Sequence, residues 1–156
     1  MTAPSPAPSP DFVARLLRSR PGAVGEHFVM HWKPLPASHA GAACAGVLFL
    51  AVPKRQLARA VDRNLVRRIA REAWRAAGLS ALPLAVLVRL RRRPDWFAEA
   101  GVRRRRQGLR QELDSLFSDR AVQRISDTLR RHEGPGREGG PDGVLAAGVA
   151  RQDPAS

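Results

Sequence analysis

The residues with the clearest chemistry are a series of cations at helical spacing. Arg63, Arg67, Arg71 and Arg75 recur every fourth residue, Arg59 extends the series, Arg68 stands beside it, and Lys54-Arg55 precede it. Residues four apart share one face of a helix, so these groups predict a stripe roughly 20 Å long at 1.5 Å per residue. Guanidinium groups pair with phosphate oxygens, and such a stripe can follow several phosphates of a nucleic-acid backbone. The plainer reading is a solvated face laced with ion pairs. It falls short on content: residues 54–75 hold eight basic side chains against two acids, Asp62 and Glu72.

Catalytic groups are scattered by comparison. Cys44 follows His39 by five residues, but no acid or amide flanks the two to orient a dyad, so the thiol reads as a bystander. His27, His31, His39 and His132 have no carboxylate pair near them in sequence and read as non-ligands. Glu112 and Asp114 lie in a basic helical stretch and read as surface ion-pair partners. The Gly-rich run at 136–143 has no strand before it and no Lys-Ser/Thr after it, unlike a phosphate loop. The chain therefore offers binding chemistry and no self-contained active site.

The elements that must position the stripe follow from composition and periodicity. The chain has 156 residues and is 44% hydrophobic, enough for one domain with an ordinary core. Its formal net charge of +13 points to a polyanionic partner. That excess lies in two segments: +6 within residues 54–75, and +7 within residues 89–110, where nine basic side chains face two acids. Nearly every cation is Arg, read either as selection for bidentate phosphate contacts or, more simply, as the mark of a GC-rich genome, which accounts for the type of cation and not for its clustering. One cysteine excludes an internal disulfide framework. No segment approaches the ~18 apolar residues of a membrane span, and the N-terminus lacks the form of a secretory signal. The expectation is a small, basic, cytoplasmic domain.

Residues 1–10 read as a disordered Pro-rich tail, 11–132 as the folded unit, and 133–156 as a disordered Gly/Pro-rich tail. Asp11 is the expected N-cap of a helix over 12–18. A half-buried strand over 27–33 alternates Phe28, Met30 and Trp32 with Val29 and His31, and a short extra strand is expected near 23–25. The apolar run 46–52 has the pattern of a central strand, ended by Pro53. A helix over 61–77 places Val61, Leu65, Val66, Ile69, Ala70 and Ala73 on its packing arc, with Trp74 as an anchor at the core edge. Gly78 stops it. A second apolar strand over 82–90 completes a β-α-β unit. After a connector comes a helix over 102–117 with Val102, Leu109, Leu113, Leu116 and Phe117 on its core face, and a continuation over 121–129. The fold class is α+β, a two-layer α-β sandwich with a small sheet.

Residues 53–75, reading PKRQLARAVDRNLVRRIAREAWR, resemble the signature of the bacterial ribonuclease P protein family. That signature is a Lys-Lys/Arg pair, a short loop, then Arg-Asn-x-x-Lys/Arg-Arg-x-x-Arg-Glu. It falls on Lys54-Arg55 and on Arg63, Asn64, Arg67, Arg68, Arg71 and Glu72. Asp11-Phe12, His27-Phe28, the strand from Leu84 and the segment LRQELDSLF also resemble the family, so the likeness covers about residues 11–118. The sequence departs from the pattern at Leu65, usually basic, at Leu16, usually aromatic, and in its neutral N-terminus.

The resemblance implies a left-handed β-α-β crossover, shared with a ribosomal-protein domain, where the base rate alone would favour a right-handed one. It implies a non-catalytic subunit of an endoribonuclease, in which a catalytic RNA removes the 5′ leader of precursor tRNA. Partners would be that RNA, with one protein per RNA, and precursor tRNA, with no membrane. The protein alone would bind no cofactor, and Mg²⁺ would enter through the RNA. By position, Lys54, Arg55, Arg59, Arg63, Asn64, Arg67, Arg68 and Arg71 would dock on the catalytic RNA. Phe12, Leu16, Phe28 and His31 would form the cleft for the single-stranded leader. The Arg-rich stretch 91–106 reads as an additional source of charge. The alternative is a general RNA-binding or ribosome-associated protein of the same fold.

Overall fold

A computed structural model of the chain describes residues 9–35 and 45–133. Residues 1–8, residues 36–44 with His39 and Cys44, and residues 134–156, and with them most of both expected tails, lie outside the described residues. Helix α1 (Pro10–Arg18) begins two residues earlier than Asp11 predicts. Ser9 is its N-cap, accepting from the Phe12 N–H at 3.3 Å, and Pro10 takes the first turn, where its missing N–H costs nothing. Asp11 instead places its carboxylate in the first turn, where the helix dipole favours it.

Four strands form one mixed sheet in the order β1-β2-β4-β3, from β1 (Ala23–Val24), β2 (Phe28–Pro34), β3 (Val47–Ala51) and β4 (Leu84–Leu90). β2 pairs antiparallel with β1 and β4, and β3 pairs parallel with β4. The connection from β3 to β4 runs through α2 (Ala60–Ala76), the β-α-β unit that the sequence predicts. Gly78 closes α2 at φ 72°, a left-handed conformation that glycine adopts without strain. Helices α3 (Val102–Leu116) and α4 (Asp119–Glu133) complete an α+β fold.

Because strand residues alternate faces, the sheet separates two cores. Phe28 and Met30 of β2, Leu48 and Leu50 of β3, and Val86 and Val88 of β4 meet α2, α3 and α4 in the large core. Its helical side includes Val66, Ile69 and Ala73 of α2, Leu109 and Leu113 of α3, and Ile125 of α4. On the other face Leu16 of α1 is fully buried against Ala85 and Leu87, with Phe12, Phe49 and Ala51 beside it.

Several expectations change. β3 lies at the sheet edge, and the interior strands are β2 and β4. The continuous apolar run of β3 reflects cover on both faces, Leu48 and Leu50 toward one core and Phe49 and Ala51 toward the other, which a sequence cannot tell from a central position. Val61 and Val102, expected in the core, are 68% and 61% exposed. Each sits in the first turn of its helix. Trp74 is buried rather than at the core edge, packing edge-on against Phe117 at 6.1 Å.

Glu112 is not a surface ion-pair partner. Its carboxylate accepts the backbone N–H groups of His27 and Phe28 and lies 2.8 Å from His27 Nδ1, stapling the β1–β2 turn to α3. Asp114, by contrast, pairs on the surface with Arg110 as expected.

Candidate nucleic-acid interface

Pro53 ends β3 and its carbonyl accepts from the N–H groups of Gln56 and Leu57, turning the chain sharply. Lys54 and Arg55 stand exposed on that turn, while Leu57 is buried beneath it. Gln56 fixes the turn to the chain beyond β4: its amide donates to the Arg91 carbonyl at 2.9 Å and accepts from the Arg93 N–H at 3.0 Å. The sequence holds no signal for this clamp, because it joins segments 35 residues apart.

Along α2 the arginines divide by task. Arg63 turns back, its Nη1 donating to the carbonyls of Leu57 and Ala58 at 2.9 and 2.6 Å, so it braces the basic turn. Arg68 pairs with Glu72 at 3.0 Å. Asn64 is exposed and its Oδ1 accepts weakly from Arg67 Nη1 at 3.4 Å. Lys54, Arg55, Arg59, Arg67, Arg71 and Arg75 have no acidic partner within ion-pair distance among the described residues. Asp62, which the sequence leaves available to the stripe, is taken by Arg105 of α3 at 3.1 Å. The face is thus more cationic than its composition suggests.

That same pair shows how the two charged segments meet. Asp62–Arg105 joins the first turns of α2 and α3, and Trp74–Phe117 joins their last turns, so the helices run side by side in the same direction. Their N-terminal ends, the basic turn and the 91–93 loop fall together at one end of the molecule. Arg105 itself is structural: it stacks over Phe97 at 4.7 Å and donates to the Ala98 carbonyl.

Of the four residues expected in a leader cleft, Phe12, Leu16 and His31 share the α1 face of the sheet and Phe28 does not. Phe28 is 1% exposed in the large core, on the opposite face of β2 from His31, and has no surface for a base. Leu16 is fully buried and Phe12 half-buried on the α1 face. His31 points to that face, with Nδ1 2.9 Å from the Ser19 carbonyl. A carbonyl only accepts, so Nδ1 carries the proton and the other ring nitrogen is left as an acceptor when the ring is neutral. Beside His31 opens a hollow of about 450 Å³ lined by Pro21, Val24, Val29, Arg89 and Arg91. Arg89 and Arg91 are the members that sequence reasoning missed as site residues. Strand alternation puts Arg89 on the Leu87 face, but only the pairing of Val29 with Arg89 reveals its neighbour.

Among the described residues no three of His, Cys, Asp and Glu come together as metal ligands do. No described helix is long and apolar enough to cross a membrane.

A small mixed sheet, a helix crossing between its parallel strands, and an arginine face on that helix with few acidic partners among the described residues define an α+β protein with a cationic face. The ribonuclease P family profile matches residues 9–119, and the chain belongs to that family. It is 36% identical over 85 residues to the ribonuclease P protein components of Burkholderia mallei and Burkholderia pseudomallei, a match covering 54% of this chain. The chain thereby spans 57% of the length of those relatives. Two solved structures of the Staphylococcus aureus RNase P protein share the fold. One aligns at a TM-score of 0.50 with 15% identity over 73% of this chain and 93% of that one. The other, a mutant with defective mRNA degradation activity, aligns at 0.52 with 14% identity over 77% and 86%.

Proposed function

We propose that the chain is the protein subunit of a ribonuclease P, assisting a catalytic RNA in removing the 5′ leader from precursor tRNA. The α2 face carries this reading: six cations without acidic partners among the described residues, on and before one helix, held by a turn that Gln56 and Arg63 brace. Lys54, Arg55, Arg59, Arg67 and Arg71 contact phosphates of the catalytic RNA. Asn64 supplies both a donor and an acceptor, Arg68 joins them from its pair with Glu72, and Arg63 holds the turn in place.

The leader lies in the hollow beside His31. Its phosphates are met by Arg89 and Arg91, with His31 beside them in the hollow. The protein leaves the chemistry to the RNA. Mg²⁺ enters with the RNA, and the protein's part is to offset phosphate repulsion so that the RNA folds and holds its metal at lower concentration. One protein serves one RNA.

The test is binding to the catalytic RNA across a salt series. Log K should fall linearly with log salt. A double Arg67→Ala, Arg71→Ala variant should flatten the slope by about two units or less. An unchanged slope in a folded variant would place the RNA elsewhere.

A further inference from the structure

A groove along the solvent side of α3 belongs neither to the α2 stripe nor to the His31 hollow. Arg104, Gln107, Gln111 and Ser115 recur three or four residues apart and form one polar stripe on that helix, with Gly108 beside Gln107. Across it lies Trp96, from the 3₁₀ turn Asp95–Phe97. The indole rests on Gly108 so closely that a Cβ there would meet ring carbons at 2.6, 2.8 and 3.1 Å. Glycine is a poor helix residue, and here its presence gives the ring its seat.

The seat leaves Trp96 half-buried and bordering two hollows. One, of about 280 Å³, is lined by Arg104, Gln107 and Gln111. The other, of about 410 Å³, runs from Gln111 toward His27 and Glu112. Arg104, Gln107 and Gln111 are exposed. The side chains of both glutamines make no hydrogen bond among the described residues, and Arg104 has no acidic partner there. Arg103 and Arg106 are exposed on the same turns.

An aromatic plate flanked by free amides, with cations at one end, matches an unpaired nucleotide. The ring stacks on the base, an amide can both donate to and accept from its edge, and guanidinium takes the phosphate. A duplex hides its base faces and offers this groove only charge. We propose that the Trp96 groove binds a single-stranded RNA segment, with its backbone toward Arg104, as a contact separate from the α2 face. The proposal rests on the reading of the chain as an RNA-binding subunit.

The test uses the full chain and a fluorescein-labelled oligouridylate of about ten nucleotides, with an RNA duplex of equal length as control. Trp96→Leu should weaken the single strand about tenfold, Trp96→Phe should keep most of the affinity, and duplex binding should hold in both. Because Trp96→Leu can loosen the α3 seat, the paired Arg104→Ala, Gln111→Ala variant, confined to solvent-side groups, should also weaken the single strand more than the duplex. Equal losses for single strand and duplex, or no loss in either Trp96→Leu or the paired variant, would overturn the groove. Failure of the broader reading is distinct: Arg71→Ala would leave binding to the catalytic RNA intact while the Trp96 effect on the oligouridylate persisted.

Discussion

Arg63 and Arg71 are two turns apart on the same stripe and differ in what they hold. Arg63 spends a nitrogen on the carbonyls of Leu57 and Ala58, whereas Arg71 is exposed without an acidic partner among the described residues. Arg71→Ala should therefore flatten the salt dependence of RNA binding by about one unit at most and leave the melting temperature unchanged. Arg63→Ala should weaken binding and also cost about 1 kcal/mol of stability, through the carbonyls it leaves unpaired. Salt titrations alongside thermal melts separate the two, and identical behaviour in both assays would refute the division. The spacing of the stripe was legible because a 3.6-residue period needs no partner. The bracing role of Arg63 was not, since it depends on where the loop before α2 turns.

Among the elements, β2 decides most. Its alternation was readable in sequence, and the parity that puts Phe28 with Met30 also sets it against His31. The family likeness joins Phe28 and His31 in one cleft, and the strand's geometry separates them. Phe28→Ala should thus cost about 3–5 kcal/mol of stability while the unfolding midpoint, not leader preference, records the loss. Leu16→Phe should be destabilising by about 1–3 kcal/mol, because Leu16 is fully buried and a larger ring overfills its site. Both are read by denaturant unfolding. A gain in precursor-over-mature tRNA preference by Leu16→Phe without loss of stability would contradict the placement.

The staple on α3 makes a third case. Glu112→Ala strips an acceptor from the N–H groups of His27 and Phe28 and should cost about 1–3 kcal/mol. Helix and strand types came through in sequence because each apolar run kept its period. Edge against centre for β3 did not, because neighbours in a sheet are a tertiary property.

At the scale of the whole molecule, two basic segments far apart in sequence become neighbours because α2 and α3 lie side by side and Gln56 ties their leading loops. Charge clustering was visible in the sequence; the meeting of the clusters was not, because it hangs on one carboxylate, Asp62, and one amide, Gln56. Under the proposed function the combined surface offsets RNA phosphate repulsion, so its effect should be greatest where Mg²⁺ is scarce. The most direct measurement is site-specific 5′ cleavage of precursor tRNA by a reconstituted catalytic RNA at low Mg²⁺, with and without the chain. The account predicts no cleavage by the protein alone, little by the RNA alone, and cleavage at the correct site by the two together. It further predicts that a folded Arg67→Ala, Arg71→Ala variant loses most of the gain and that added Mg²⁺ restores it. Cleavage by the RNA-free protein, or an RNA whose activity at low Mg²⁺ is the same with and without the chain, would contradict it.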